Sequence, residues 1–158
     1  MSVRRPTAVG VHIFAGGFSL GVREAGFEVA CHLETSAYGV STAEANLGIP
    51  AFWPEGKWPL NDLAGEVDLV YANPPCAIFS NMGISHDRGP GSQAWRDDPR
   101  TNCWWDVFRV AEALRPRVVL LESVTQAYVT GRPLGDELTR RALALGYSVT
   151  HLSVSSER

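Results

Sequence analysis

The sequence predicts an α/β protein, a doubly wound, mostly parallel sheet with helices on both faces, in one domain spanning residues 1–158. Three observations point there. Short apolar runs alternate with helical segments, glycines stand where the helical patterns stop, and the polar clusters fall just after the predicted strands. In such sheets ligands sit at the carboxyl ends of the strands, so those clusters are the candidate site.

Ala8 to Phe14 reads as the first strand, followed by a glycine turn and a helix from Ser19 to Ala25 that stops at Gly26. Phe27 to Leu33 is the second strand, ending at Glu34. Ser36 to Leu47 is helical with Gly48 as its stop, and 49–59, rich in Pro, Gly and Trp, holds a short strand and a loop. Val67 to Ala72 is an apolar strand that runs into Asn73-Pro74-Pro75-Cys76. Residues 81–100 lack periodicity and read as a long loop of the kind that serves as a lid. Thr101 suits an N-cap, after which Trp104, Val107, Phe108, Ala111 and Leu114 share one helical face. Pro116 closes that helix and Val118 to Leu121 reads as a buried strand. Asp136 to Leu145 is a helix stopped by Gly146, and Tyr147 to Val154 a last strand.

With 45% hydrophobic and 20% charged residues, the chain has an ordinary globular composition, which excludes bulk disorder. The net charge of −3 gives no strong basic face of the sort DNA binding uses, beyond a modest cluster around Arg96 and Arg100. Cys31, Cys76 and Cys103 are too widely spaced for a cysteine metal motif, so no metal is expected. No signal peptide or 18-residue apolar stretch is visible, which suggests a reducing, cytoplasmic setting with no membrane contact.

Four clusters carry the chemistry. In Phe14-Ala15-Gly16-Gly17-Phe18, glycines let backbone approach a ligand, and Glu34 follows Gly16 by 18 residues, near the spacing of an acid that takes ribose hydroxyls. The same residues equally describe a tight turn and a solvated acid. Asp62 can meet an adenine amine or sit on a surface turn. Pro74-Pro75 stiffen the chain and present Cys76 at a strand's end, an improbable place for the small buried hydrophobe that Cys31 and Cys103 suggest. Glu122 directly follows four apolar residues, where an acid faces solvent or has a proton to handle.

Together and in this order the clusters resemble the cytosine-5 DNA methyltransferase family. Phe14 to Gly21 is similar to its first cofactor motif, Glu34 to its ribose-binding acid and Asp62 to its adenine contact. Pro74-Pro75-Cys76 with Phe79-Ser80 resembles the nucleophile motif, Asp98-Pro99-Arg100 its Asp-x-Arg, Glu122-Ser123-Val124 its Glu-Asn-Val, and Gly146 to Val149 the segment that follows. The resemblance implies a Rossmann-like class I methyltransferase fold and S-adenosylmethionine as cofactor, held by residues 14–18, Glu34, Asp62, Asn73 and Pro74. It implies that a cytosine flipped out of DNA receives the methyl group at carbon 5. Cys76 is then the nucleophile, Glu122 donates toward ring nitrogen 3, and Pro75, Phe79, Ser80 and Arg100 frame the base.

The sequence departs from the family in places. The first motif is shorter by two residues, His12 replaces the common Asp, Ala77 a frequent Gln, and Ser123 the usual Asn. The Gln-x-Arg-x-Arg segment, target-recognition domain and final helix are absent up to Arg158, so a second polypeptide is expected to supply target recognition. Two other readings stay open: an inactive, truncated relative kept as a binding or regulatory module, and an amino-methylating enzyme, whose Asn-Pro-Pro-aromatic motif would here carry Cys76 in the aromatic position.

Overall fold

The computed structural model describes residues 4–53, 57–79, 97–129 and 131–155. Strands β1 (Thr7–Val11), β2 (Glu28–Leu33), β3 (Ala51–Phe52), β4 (Leu69–Ala72) and β5 (Val118–Leu121) pair in the order β3-β2-β1-β4-β5. Every pair is parallel. The connecting helices are α1 (Gly17–Glu24), α2 (Ala37–Leu47), α3 (Leu60–Leu63) and α4 (Asn102–Leu114). Two further helices, α5 (Thr125–Val129) and α6 (Arg132–Ala144), follow β5. The strand order reverses beside β1. With right-handed crossovers this puts α1 and α2 on one face of the sheet and α4 on the other, and opens a crevice beyond the ends of β1 and β4.

The contacts divide into two compact units, Met1–Pro75 with Asn102–Glu122, and Cys76–Thr101 with Ser123–Arg158. The first holds the whole sheet. Its central strands are apolar on both sides because helices cover both faces, and Val9, Val11, Val70, Tyr71 and Ala72 are fully buried. Leu33 is fully buried on β2. The predicted face of α4 is the buried one, with Trp104, Val107, Phe108, Ala111 and Leu114 all inside. A small polar network sits within this core. Ser19 Oγ lies 2.8 Å from His32 Nε2 and 2.7 Å from the Tyr71 hydroxyl.

The second unit contains one 3-10 turn at Cys76–Ile78, another at Pro99–Thr101, and the α5–α6 pair. Phe79 packs so closely on Gly131 that a Cβ there would lie 2.5 Å from the ring. Glycine is required between the two helices for that reason.

Several expectations are corrected. Val118 and Leu120 on β5 are 53% and 43% exposed while Val119 and Leu121 are half-buried, so one face of this strand is left uncovered by the described residues. Tyr147 to Val154 forms no strand, since a strand needs a paired neighbour and no described residue pairs with it. Helix α6 begins at Arg132, ahead of the expected Asp136, with Pro133 near its start. Helix α5 was not legible, being five residues long. Thr101 belongs to the 3-10 turn leading into α4. The expected lid falls largely outside the described residues, as do Ser80 and Trp95. No described helix is long and apolar enough to cross a membrane.

Candidate active site

The turn from β1 into α1 is short, and it is closed by backbone that most residues avoid. His12 (φ 55°), Phe14 (φ 51°) and Gly16 (φ 82°) alternate in the left-handed region. For a bulky residue such as Phe14 that conformation is rare and persists only when its surroundings hold it. They do: the His12 N–H donates to Leu33 O at 3.0 Å, the Gly16 N–H to Ile13 O at 3.2 Å, and the Phe14 N–H to Glu34 Oε1 at 2.8 Å. Phe14, Ala15 and Gly17 are exposed, Phe18 is half-buried against Tyr71, and Gly16 is buried against Leu47.

Glu34 is only 2% exposed, so its solvated-acid reading is excluded. Burial pushes its carboxyl above the usual range, opposed by the Phe14 N–H and by the positive field of His12. A Cβ on Gly39 of α2 would stand 3.0 Å from Glu34 Oε2, so glycine makes room for the carboxylate. Sequence reasoning missed Gly39, because a glycine inside a helical pattern carries no sign of what lies opposite.

Asp62 is exposed on α3 and lines a cavity of about 410 Å³ with Trp58, Pro59, Leu60 and Asn61. Trp58 is buried, yet its Nε1 donor has no partner among the described residues. The Arg109 guanidinium lies 5.1 Å over its ring.

Asn73 and Glu122 follow β4 and β5. The Glu122 N–H donates to Ala72 O at 2.9 Å, and the Asn73 side-chain amide donates to Glu122 Oε2. Pro74 is fully buried, and Pro75 O accepts the Trp104 indole N–H at 3.2 Å. Trp104 is thus a core residue with its polar end satisfied, not a base-stacking one.

Cys76 opens the second unit, half-buried in its 3-10 turn, where the Phe79 N–H donates to Cys76 O at 2.9 Å. Phe79 is buried. Arg100 is clamped by Asp98, with Nε on Oδ1 at 2.9 Å and Nη2 on Oδ2 at 2.6 Å. The structure therefore brings Phe14 to Glu34 and Asn73 to Glu122 within the first unit, and sets Cys76, Phe79 and Arg100 in the second.

A further cluster escaped sequence reasoning. Buried His12 places Nε2 3.1 Å from Asp106 Oδ2. Burial acts to lower the imidazole, but Asp106 and Cys103 overcome it and push it up to about 9. Cys31 keeps its expected core position, where burial pushes its thiol up to about 12.

The first unit's groups suit S-adenosylmethionine. Buried Glu34 has lone pairs beyond those that the Phe14 and Ile13 N–H groups engage, as two ribose hydroxyls require. The orphaned Trp58 donor and the Asp62 acceptor border one cavity, as an adenine edge requires.

Residues 11–155 match the family model described as C-5 cytosine-specific DNA methylase. The chain is 28% identical over 144 residues to type II methyltransferase M1.HphI of Haemophilus parahaemolyticus, covering 85% of this chain and 37% of that protein. It is 28% identical over 132 residues to type II methyltransferase M.HgiGI of Herpetosiphon aurantiacus, covering 74% and 90%. Among solved structures, a DNA modification methyltransferase encoded within an E. coli prophage superposes with a TM-score of 0.62 at 18% identity, over 88% of this chain and 38% of that one. That likeness bears out the fold. The chain spans little more than a third of the length of the Haemophilus relative.

Proposed function

Because the chain belongs to the C-5 cytosine-specific DNA methylase family, we propose that it is the catalytic part of a DNA (cytosine-5)-methyltransferase, residues 1–158 serving as one catalytic domain. The observation that carries this reading is positional. Phe14 with Glu34, and Asn73 with Glu122, meet at the carboxyl ends of β1, β2, β4 and β5, where an open α/β sheet binds its ligands.

S-adenosylmethionine, when bound, supplies an electrophilic methyl group. The 14–18 turn would hold it with its backbone, Glu34 would accept from its ribose hydroxyls, Asp62 would accept from its adenine amine, and Asn73 and Pro74 would border it. Cytosine carbon 5 is a weak nucleophile. Addition of the Cys76 thiolate to carbon 6 moves the ring electrons toward carbon 5, which can then take the methyl. Glu122 donates toward ring nitrogen 3 as charge develops there, held in place by Asn73. Loss of the carbon 5 proton to water and departure of the Cys76 sulfur as thiolate, its electron pair leaving carbon 6, restore the aromatic ring. Pro75, Phe79, Ser80 and Arg100 frame the flipped base.

Protein outside these residues reads the DNA sequence, carried by a second polypeptide. A net charge of −3 supports that division, since DNA affinity needs cationic surface. The free-thiol nucleophile suits a reducing cytoplasm.

The test is transfer of tritiated methyl groups to DNA. Incorporation at carbon 5, lost in Cys76→Ser, is expected. Incorporation at the normal rate in that variant overturns the assignment, and methyl on an exocyclic amine replaces it with the amino-methylating chemistry.

A further inference from the structure

Three donors of different chemistry converge beside the β1–α1 turn, none of them given a part in methyl transfer. His12 comes from the end of β1. Cys103 and Asp106 come from the first turns of α4, three residues apart and so on one face of the helix. One ligand atom from each, an imidazole nitrogen, Sγ and a carboxylate oxygen, lie within 4.8 Å of one another. His12 and Asp106 are almost fully buried, with side chains 4% and 6% exposed.

We propose that His12, Cys103 and Asp106 form a binding site for a zinc-class divalent cation. The donor set, borderline-soft nitrogen and sulfur with one carboxylate oxygen, is the one such ions select over magnesium or calcium. The surroundings already hold two of the ligands. Asp106 Oδ1 is engaged by Arg109 Nη2 at 3.2 Å, which leaves Oδ2 turned to His12. Trp58 packs edge-on to the His12 ring with centroids 5.9 Å apart. Cys103 is half-buried and Thr35, whose Oγ1 lies 3.9 Å from Cys103 Sγ, is exposed, so a cation can enter from that side. Three protein ligands leave the fourth position of a tetrahedral ion to water or to the Thr35 hydroxyl. His12 gives up its ring proton on binding, and Cys103 binds as the thiolate.

Cobalt(II) reports on such a site by colour. The chelator-treated chain is titrated with Co2+. The expected result is one ion per chain, tetrahedral d–d absorption and a thiolate-to-cobalt band, all displaced by Zn2+. The thiolate band disappears in Cys103→Ser and persists in Cys76→Ser. A band that survives Cys103→Ser, or the lack of any thiolate band in the folded chain, overturns the proposal. A measurement on the unaltered chain guards against misfolding of the variant: Zn2+ protects Cys103 from iodoacetamide, mapped by mass spectrometry, while labelling of Cys76 is unchanged. Equal labelling of Cys103 with and without Zn2+ also overturns it.

Discussion

The Asn73 side-chain amide donates to the Glu122 carboxylate, joining the residues that follow neighbouring strands β4 and β5. The parallel register brings them together, since Ala72 pairs with Leu121 immediately before. An exposed acid held by one amide keeps its direction without losing its access to a ligand.

Glu122→Gln is therefore expected to lower kcat for methyl transfer by about 10²–10⁴-fold, the usual worth of a general acid, with S-adenosylmethionine affinity unchanged. Asn73→Ala leaves the acid present but unaimed, and its loss is expected to reach at most about 10²-fold. Single-turnover transfer to DNA, with cofactor affinity measured by calorimetry, separates the two effects. A Glu122→Gln enzyme with undiminished kcat removes Glu122 from the chemistry.

Glu34 should show a trade between stability and binding. Its folded pKa is raised, chiefly by burial. The stability linked to its protonated form is complete below the ordinary carboxylate range and is lost as pH rises through the raised folded value. Glu34→Gln is expected to melt higher than the parent at neutral pH and equally in acid, while losing cofactor affinity. Thermal melts across the pH range, paired with calorimetric titration, check both halves.

His32 works in the opposite direction. Burial first, and Arg23 second, push its imidazole down from 6.5 to about 4. The unfolded chain takes up a proton that the folded one resists. Stability from the neutral ring is therefore full above pH 6.5 and drains away as pH falls toward 4. His32→Asn should be less stable at neutral pH, having lost its bond to Ser19, but should show a flatter decline across that window in urea denaturation. An unchanged slope would assign acid unfolding to other groups.

Gly10 sits where β1 passes the buried rings. A Cβ there would meet Ile13 Cγ1 at 2.7 Å, His32 Cδ2 at 2.8 Å and Tyr71 Cζ at 2.9 Å. With neighbours on three sides none can give way without disturbing another, so Gly10→Ala is expected to cost about 1–3 kcal/mol. Denaturant midpoints measure it, and a neutral result would mean that the core around Tyr71 is looser than described.

The sequence by itself determined the alternation of strands and helices, and with it a parallel sheet whose carboxyl ends carry Phe14, Glu34, Asn73 and Glu122. It did so because buried strands must be continuously apolar and helix ends need glycine, and both constraints are local. The buried face of α4 was legible for the same reason. Only the tertiary structure decided which of those residues touch. Burial of Glu34, its need for Gly39, the Asn73–Glu122 bond and the meeting of His12 with Cys103 and Asp106 all join segments distant in the chain, and one sequence holds no record of such pairings. The misread strands follow from the same physics. Val118 to Leu121 and Tyr147 to Val154 are both apolar enough to be strands, but exposure and pairing belong to neighbours, and an apolar run cannot say whether a partner is there.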